Sequence, residues 1–183
     1  LEGYTRQQAE DIYRIIGLGA LKYFILKVDP KKKMLFNPKE SIDFNGNTGP
    51  FIQYTHARIQ SILRKYFDGG STPVTPPEFS AGERPGKSDW AGAELSPKEI
   101  MLVKLLASYP QKVAEAAASY SPAILANYSY ELAKEFNQYY HDTPILKEPD
   151  QKLLQMRLSL IETLASVLRK AMAVLGIELP DRM

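Results

Sequence analysis

The residues with the most chemistry to offer sit close together. Phe51, Tyr54 and Arg58 are spaced three and four apart, so on a helix they share one face. Two aromatic rings beside a guanidinium are what an unstacked base and its phosphate require: rings to stack on and a fixed positive charge. Each residue also has a plainer reading. Phe51 can be core packing, Tyr54 half-buried structure, and Arg58 an ion-pair partner. Arg64 and Lys65, one turn further on, suit a phosphate or plain solvent. Lys31, Lys32 and Lys33 form a basic run that reads equally as a polyanion contact or a solvated loop.

Other chemistries find little support. Cysteine is absent, which excludes disulfides and thiolate metal sites and fits a reducing compartment. His56 and His141 are the only histidines and lie far apart, so no metal site is expected, and His56 reads as a hydrogen-bonded structural residue. Gly17-Leu18-Gly19 has no preceding strand and no third glycine, so it is not a dinucleotide loop. No local signature of a nucleophile with its base is present, and no catalytic residue or cofactor is assigned to the chain. The net charge of +2 argues against indiscriminate polyanion binding, so any RNA contact must rest on local patches. No apolar run approaches the roughly 20 residues of a membrane span. The first residues, Leu1-Glu2-Gly3-Tyr4-Thr5, lack a starting methionine and a signal-peptide pattern, so the chain reads as part of something longer.

The elements that must position these residues are helices. Thr5 and Gln8 form a capping box, followed by Ala9, Ile12, Ile16, Ala20, Leu21, Phe24 and Ile25 at helical spacing. Gly17 and Gly19 within that stretch predict close packing or a break, and Asp29-Pro30 predicts the end. Residues 30–50 are irregular. A helix begins near Pro50, with Ile52, Thr55, Ile59, Ile62, Leu63 and Tyr66 as its inward stripe. Nine of the 28 residues in 68–95 are Gly or Pro, so this stretch reads as a flexible insertion, with Trp90 tacking it to the body. Ser96-Pro97-Lys98-Glu99 is a full capping signal leading to Ile100, Val103, Leu105 and Leu106. Pro110 opens a short Ala-rich helix, and Ser121-Pro122 opens another through Ile124, Leu125, Tyr128, Leu132, Phe136 and Tyr139. Asp150 caps the last helix, whose Leu153, Leu154, Leu158, Ile161, Leu164, Leu168, Met172 and Leu175 form a core stripe before Gly176 at the C′ position. The expected fold class is all-α, a bundle of about five helices with a short helical tail in front.

A longer pattern lies across the candidate face. Gly46-Asn47-Thr48-Gly49-Pro50-Phe51-Ile52-Gln53-Tyr54-Thr55-His56-Ala57-Arg58 resembles a signature of class I arginyl-tRNA synthetases, roughly Gly-x-Thr-Gly-Pro-(Tyr/Phe)-x-Gln-Tyr-x-His-(Ala/Ser)-Arg. Gly17 to Tyr23 is similar to the helix that closes that family's catalytic region. Leu175-Gly176 followed by Pro180-Asp181-Arg182-Met183 is similar to the family's closing residues. The resemblance implies a division at 50: residues 1–50 as the tail of the catalytic region and residues 51–183 as a DALR-type anticodon-binding bundle. It implies that the chain grips the anticodon arm of arginine tRNA. Arginine, ATP and magnesium would then belong to a catalytic half outside this chain. The family's H-I-G-H and K-M-S-K-S motifs are absent here, and Lys31-Lys32-Lys33-Met34 is not a version of the second. The fragment alone is expected to be inactive, monomeric and cytoplasmic.

By the same resemblance, Phe51 stacks on a base, Arg58 reaches phosphate or base, and Tyr140 and Met183 flank the anticodon, with Tyr54 on the same face. Phe51 stands where relatives often have tyrosine, which keeps the ring and loses the hydroxyl. The competing class is a helical protein-interaction module whose 68–95 loop recruits a partner.

Overall fold

The computed structural model describes residues 4–35, 37–67 and 94–183. Among them there are helices and no strands: α1 (Arg6–Leu26), α2 (Pro38–Ser41), α3 (Gly49–Phe67), α4 (Pro97–Ala107), α5 (Tyr109–Ser119), α6 (Pro122–Asp142) and α7 (Gln151–Val174), with a 3₁₀ turn at Ile145–Lys147. The expected insertion at 68–95, with Trp90, lies outside the described residues apart from Glu94 and Leu95.

Local chemistry sets the boundaries. Thr5 Oγ1 accepts from the Gln8 backbone at 3.3 Å while Gln8 Oε1 accepts from the Thr5 backbone at 2.9 Å. Ser96 and Glu99 repeat the box at the start of α4. Asp150 accepts from the backbone of Lys152 and Leu153. Ser121 precedes α6 without a side-chain cap; its hydroxyl pairs instead with Asp29 Oδ2 at 3.1 Å. Gly176 has φ +68° just past the end of α7, the left-handed turn that favours glycine. Thr48 supplies a start that was not foreseen: its hydroxyl accepts from the Phe51 backbone at 3.2 Å and donates to the Asp43 carbonyl.

Leu158, Ile161, Leu164, Leu168 and Met172 of α7 join Ile52, Ile59 and Leu63 of α3 and Leu125, Leu132 and Phe136 of α6 in one apolar cluster. Each such side chain contributes about 1.5–3 kcal/mol when fully buried. A buried polar network ties α4 into it. Arg157 Nε lies 2.8 Å from Glu99 Oε1 and its Nη1 2.5 Å from Glu148 Oε2, while the Tyr139 hydroxyl donates to Glu99 Oε1 at 3.0 Å. Burial opposes the Glu99 charge, but hydrogen bonds from the Ser96 backbone and Arg157 outweigh it and hold the carboxyl below its ordinary range.

Two expected stripes are corrected. Leu21 and Ile25 are exposed, and the buried face of α1 is Gly19, Ala20, Tyr23 and Phe24. At about 100° per residue, Leu21 and Ile25 fall on the opposite side of the helix. On α4, Ile100 and Val103 are exposed, and Leu102 and Glu99 point inward. Residues 100–106 are apolar nearly all round, so spacing alone could not choose the face.

The glycines explain α1. The helix is unbroken through Gly17 and Gly19. A Cβ on Gly49 would stand 2.6 Å from the Gly19 carbonyl oxygen, so the two backbones cross with no room for a side chain; a Cβ on Gly17 would meet nothing within 4 Å. Gly49→Ala is therefore expected to lower stability by about 1–3 kcal/mol. Gly17→Ala should raise it by about 0.5–1 kcal/mol. Urea unfolding of the two variants checks this, and equal effects would refute the crossing as described.

Candidate nucleic-acid interface

Helix α3 presents two faces with different partners. On the outer one, the Arg58 guanidinium lies 4.7 Å from the Tyr54 ring centroid and 5.6 Å from that of Tyr140. Each contact of this kind contributes about 0.5–2 kcal/mol. Arg58 Nη1 also donates to Asn137 Oδ1. The Asn137 amide donates in turn to Thr55 Oγ1 at 2.7 Å and to the Ala133 carbonyl at 2.9 Å. Tyr140 packs parallel to Phe136 at 5.9 Å. The guanidinium is thus fixed between two rings that keep 43% and 37% of their surface exposed.

The remaining candidates flank this stack. Phe51 is half-buried against Tyr130 at 5.4 Å between centroids. Met183 meets Tyr54 across a largely apolar cleft of about 320 Å³, whose other walls are Ile12, Tyr13, Ile16, Phe44 and Asn45. The structure therefore joins Tyr54, Arg58 and Tyr140 directly, sets Met183 beside Tyr54, and turns Phe51 toward a separate cleft shared with Tyr130. Lys65 is exposed, and Lys31 to Lys33 are exposed in the connection after α1.

The inner face of α3 holds the closing segment. Gln53, fully buried, donates from Nε2 to the carbonyls of Glu178 at 2.9 Å and Ile15 at 3.1 Å. His56 is equally buried, with Nδ1 3.0 Å from the Pro180 carbonyl and Nε2 3.2 Å from Arg169 Nη2. A carbonyl only accepts and a guanidinium only donates, so His56 must be neutral, with its proton on Nδ1. Burial, with the Arg169 charge, depresses its pKa to about 4. Arg169 also pairs with the Asp181 carboxylate, and Arg64 Nη1 donates to the Asp181 carbonyl at 3.0 Å. Arg64, read from sequence as a possible phosphate contact, is committed to the tail. These bonds fix the segment that ends in Met183.

Several contributors were not anticipated. Asn137 sits three residues before Tyr140, a spacing that places both on one face of α6. Phe44, edge-on to Tyr54 at 6.3 Å, lies in an irregular stretch where no periodicity could mark it. Arg169 and Asp181 meet only through tertiary structure. Among the described residues no three His, Asp or Glu side chains gather as a metal site, and no helix is long and apolar enough to cross a membrane.

The structure is thus an all-α bundle that presents two exposed rings around a fixed guanidinium. Residues 52–183 match the DALR anticodon binding domain, and the chain belongs to that family. Across its whole length it is 52% identical to the arginine–tRNA ligase of Phocaeicola vulgatus, covering 28% of that protein, and 54% identical to that of Bacteroides thetaiotaomicron, covering 29%. Among solved structures, arginyl-tRNA synthetase of Thermus thermophilus superposes with a TM-score of 0.80 and 32% identity over 99% of this chain and 28% of that one. The chain spans less than a third of the length of these relatives.

The His56 arrangement has a pH signature. Above an unfolded pKa of about 6.5 both states are neutral; below it the unfolded chain takes a proton that the folded chain refuses until pH about 4. The stability that His56 provides is thus present above pH 6.5 and lost as pH falls toward 4, by roughly 3 kcal/mol at about 1.4 kcal/mol per unit. His56→Asn keeps a donor for Pro180 and removes the titration. Its stability should fall less than that of the parent between pH 7 and 4.5, and parallel pH curves would refute the neutral-imidazole reading.

Proposed function

We propose that this chain is the C-terminal, tRNA-reading part of an arginine–tRNA ligase, and that it recognises the anticodon arm of arginine tRNA. The observation that supports this most strongly is the Tyr54–Arg58–Tyr140 stack with Met183 beside it, four residues from three separated parts of the sequence on one exposed surface. A splayed base can lie on the exposed tyrosine faces. The Asn137 bond holds the guanidinium so that its remaining N–H groups can meet a base edge or phosphate.

The whole enzyme would join arginine to tRNA using ATP. The adenylate chemistry belongs on a catalytic half outside residues 1–183, since neither ATP-handling motif occurs here. Residues 1–50 would be the end of that half, and residues 51–183 the recognition bundle. Binding energy gathered at the anticodon can orient the acceptor end for reaction, raising the rate without touching the reacting atoms. In this reading the protein works in the cytoplasm, as a monomer.

Arg58→Ala should weaken arginine tRNA binding by about 1–3 kcal/mol, the range for a lost charge-assisted contact. Direct titration against arginine tRNA and a non-cognate tRNA checks this. Preference for the arginine tRNA that is diminished by Arg58→Ala supports the assignment. Undiminished binding by the variant removes Arg58 from the interface.

A further inference from the structure

The junction of α5 and α6 carries a strained residue that nothing in the fold requires. Tyr120 ends α5 with φ +52° and ψ +36°, the one residue other than glycine with positive φ among the described residues. An L side chain resists that conformation because its Cβ crowds the following carbonyl oxygen. Glycine is the usual residue at such a helix end. The turn itself is made by backbone: the Tyr120 N–H donates to the Ala117 carbonyl at 3.2 Å and the Ser121 N–H to the Ala116 carbonyl at 3.0 Å. Neither bond needs a ring, and the ring gains no packing, since 88% of Tyr120 is exposed. A strained, exposed aromatic of this kind points to a partner outside the fold.

Asp29 brings positive charge to the same place. Its Oδ2 accepts from the Ser121 hydroxyl at 3.1 Å and its Oδ1 from the Lys31 N–H at 2.9 Å. Its carbonyl accepts from the Lys32 N–H at 2.9 Å. One residue thus staples the 31–33 turn to the neighbour of Tyr120. The Lys31 N–H above all, then the Ser121 hydroxyl and the charges of Lys31 and Lys32, hold the Asp29 carboxyl below its ordinary range. Lys31, Lys32 and Lys33 are exposed, and their ammonium groups form no ion pair among the described residues. Ser121 precedes α6 and Tyr140 lies near its far end, roughly 28 Å away at about 1.5 Å per residue. The patch therefore lies beyond the reach of a nucleotide held at the Arg58 stack.

Three uncommitted ammonium groups on one turn suit successive phosphates of a nucleic-acid backbone, and an exposed ring beside them suits a sugar or base. Because α6 carries the Arg58 stack at its other end, the polyanion that fits is the same RNA. We infer that Tyr120 with Lys31, Lys32 and Lys33 forms a second, sequence-blind contact for the tRNA backbone: the lysines pair with phosphates and the Tyr120 ring packs on a neighbouring sugar or base. The inference rests on the tRNA-binding reading above and adds a grip at the opposite end of α6. Contacts of this kind position the RNA and carry no sequence information.

The experiment is titration of arginine tRNA and of a non-cognate tRNA at several salt concentrations, with urea unfolding of the same proteins. The proteins are the parent chain, the triple variant Lys31→Gln, Lys32→Gln, Lys33→Gln, the single variants Tyr120→Gly and Tyr120→Phe and, as reference, Arg58→Ala. The triple variant should bind both tRNAs several-fold more weakly, with a salt slope smaller by about 2–3, at about 0.7–0.9 per lost phosphate contact. Tyr120→Gly should raise the urea midpoint by relieving the strain and yet weaken binding of both tRNAs several-fold, while Tyr120→Phe matches the parent in both. A merely structural tyrosine would not move stability and affinity in opposite directions. If Tyr120→Gly binds like the parent, or is less stable than the parent, or if the triple variant keeps the parent's affinity and slope, while Arg58→Ala still weakens binding, the patch is overturned and the tRNA reading stands. If the parent chain binds neither tRNA at low salt, both fall.

Discussion

A buried, uncharged imidazole on α3 holds the C-terminal segment against the bundle. His56 gives its one proton to the Pro180 carbonyl and takes a hydrogen bond from Arg169, with no surface open to solvent. Charging it would place a cation against the Arg169 guanidinium and remove the acceptor that guanidinium uses. Gln53, one turn earlier, performs the same service for the Glu178 carbonyl while reaching back to α1 through Ile15. Buried polar groups are tolerated when their partners are present. Here two of those partners, the carbonyls of Glu178 and Pro180, belong to a segment with no secondary structure of its own, so the tail has one placement rather than many.

Helix α3 therefore works on both sides. Its inner residues Gln53, His56 and Arg64 fix the tail, and its outer residues Tyr54 and Arg58 carry the exposed stack. Because the two sets alternate along one rigid helix, the tail delivers Met183 to the cleft beside Tyr54. The helix itself is fixed by the residues just before and at its start. Thr48 caps it, Gly49 lets it cross α1 at backbone contact, and Asn47 reaches the Tyr23 hydroxyl at 2.6 Å and accepts from Lys27 at its carbonyl. A stretch of about a dozen residues thus encodes a cap, a helix crossing, a tail clamp and a stacking face.

The fold was largely legible because its signals are local. Capping boxes at Thr5 and Ser96, the Asp150 cap and the Leu-rich stripe of α7 each depend on neighbours a few residues away. The errors fell where pattern was ambiguous. Residues 100–106 offer apolar side chains in almost every direction, and Leu21 and Ile25 keep helical spacing on the wrong side of α1. In the site, Tyr54 and Arg58 could be grouped from spacing, and Tyr140 and Met183 from family resemblance, whereas the spacing that put Phe51 with them did not show that it packs against Tyr130 in a separate cleft. The Arg58–Asn137 bond, the commitment of Arg64 to Asp181, and the Arg169–His56 contact could not be foreseen, since each joins residues dozens of positions apart or more. His56 was read correctly as structural, although its partner lies 124 residues away.

The claim on which this account turns is that the clamped tail and α3 form a single RNA-binding unit. A double-mutant cycle of Tyr54→Ala and Met183→Ala, read by affinity for arginine tRNA, addresses it most directly. The account predicts that each substitution weakens binding and that the double variant loses less than the sum, by at least about 0.5 kcal/mol. Strictly additive losses, or a Met183→Ala protein that binds as tightly as its parent, would contradict it.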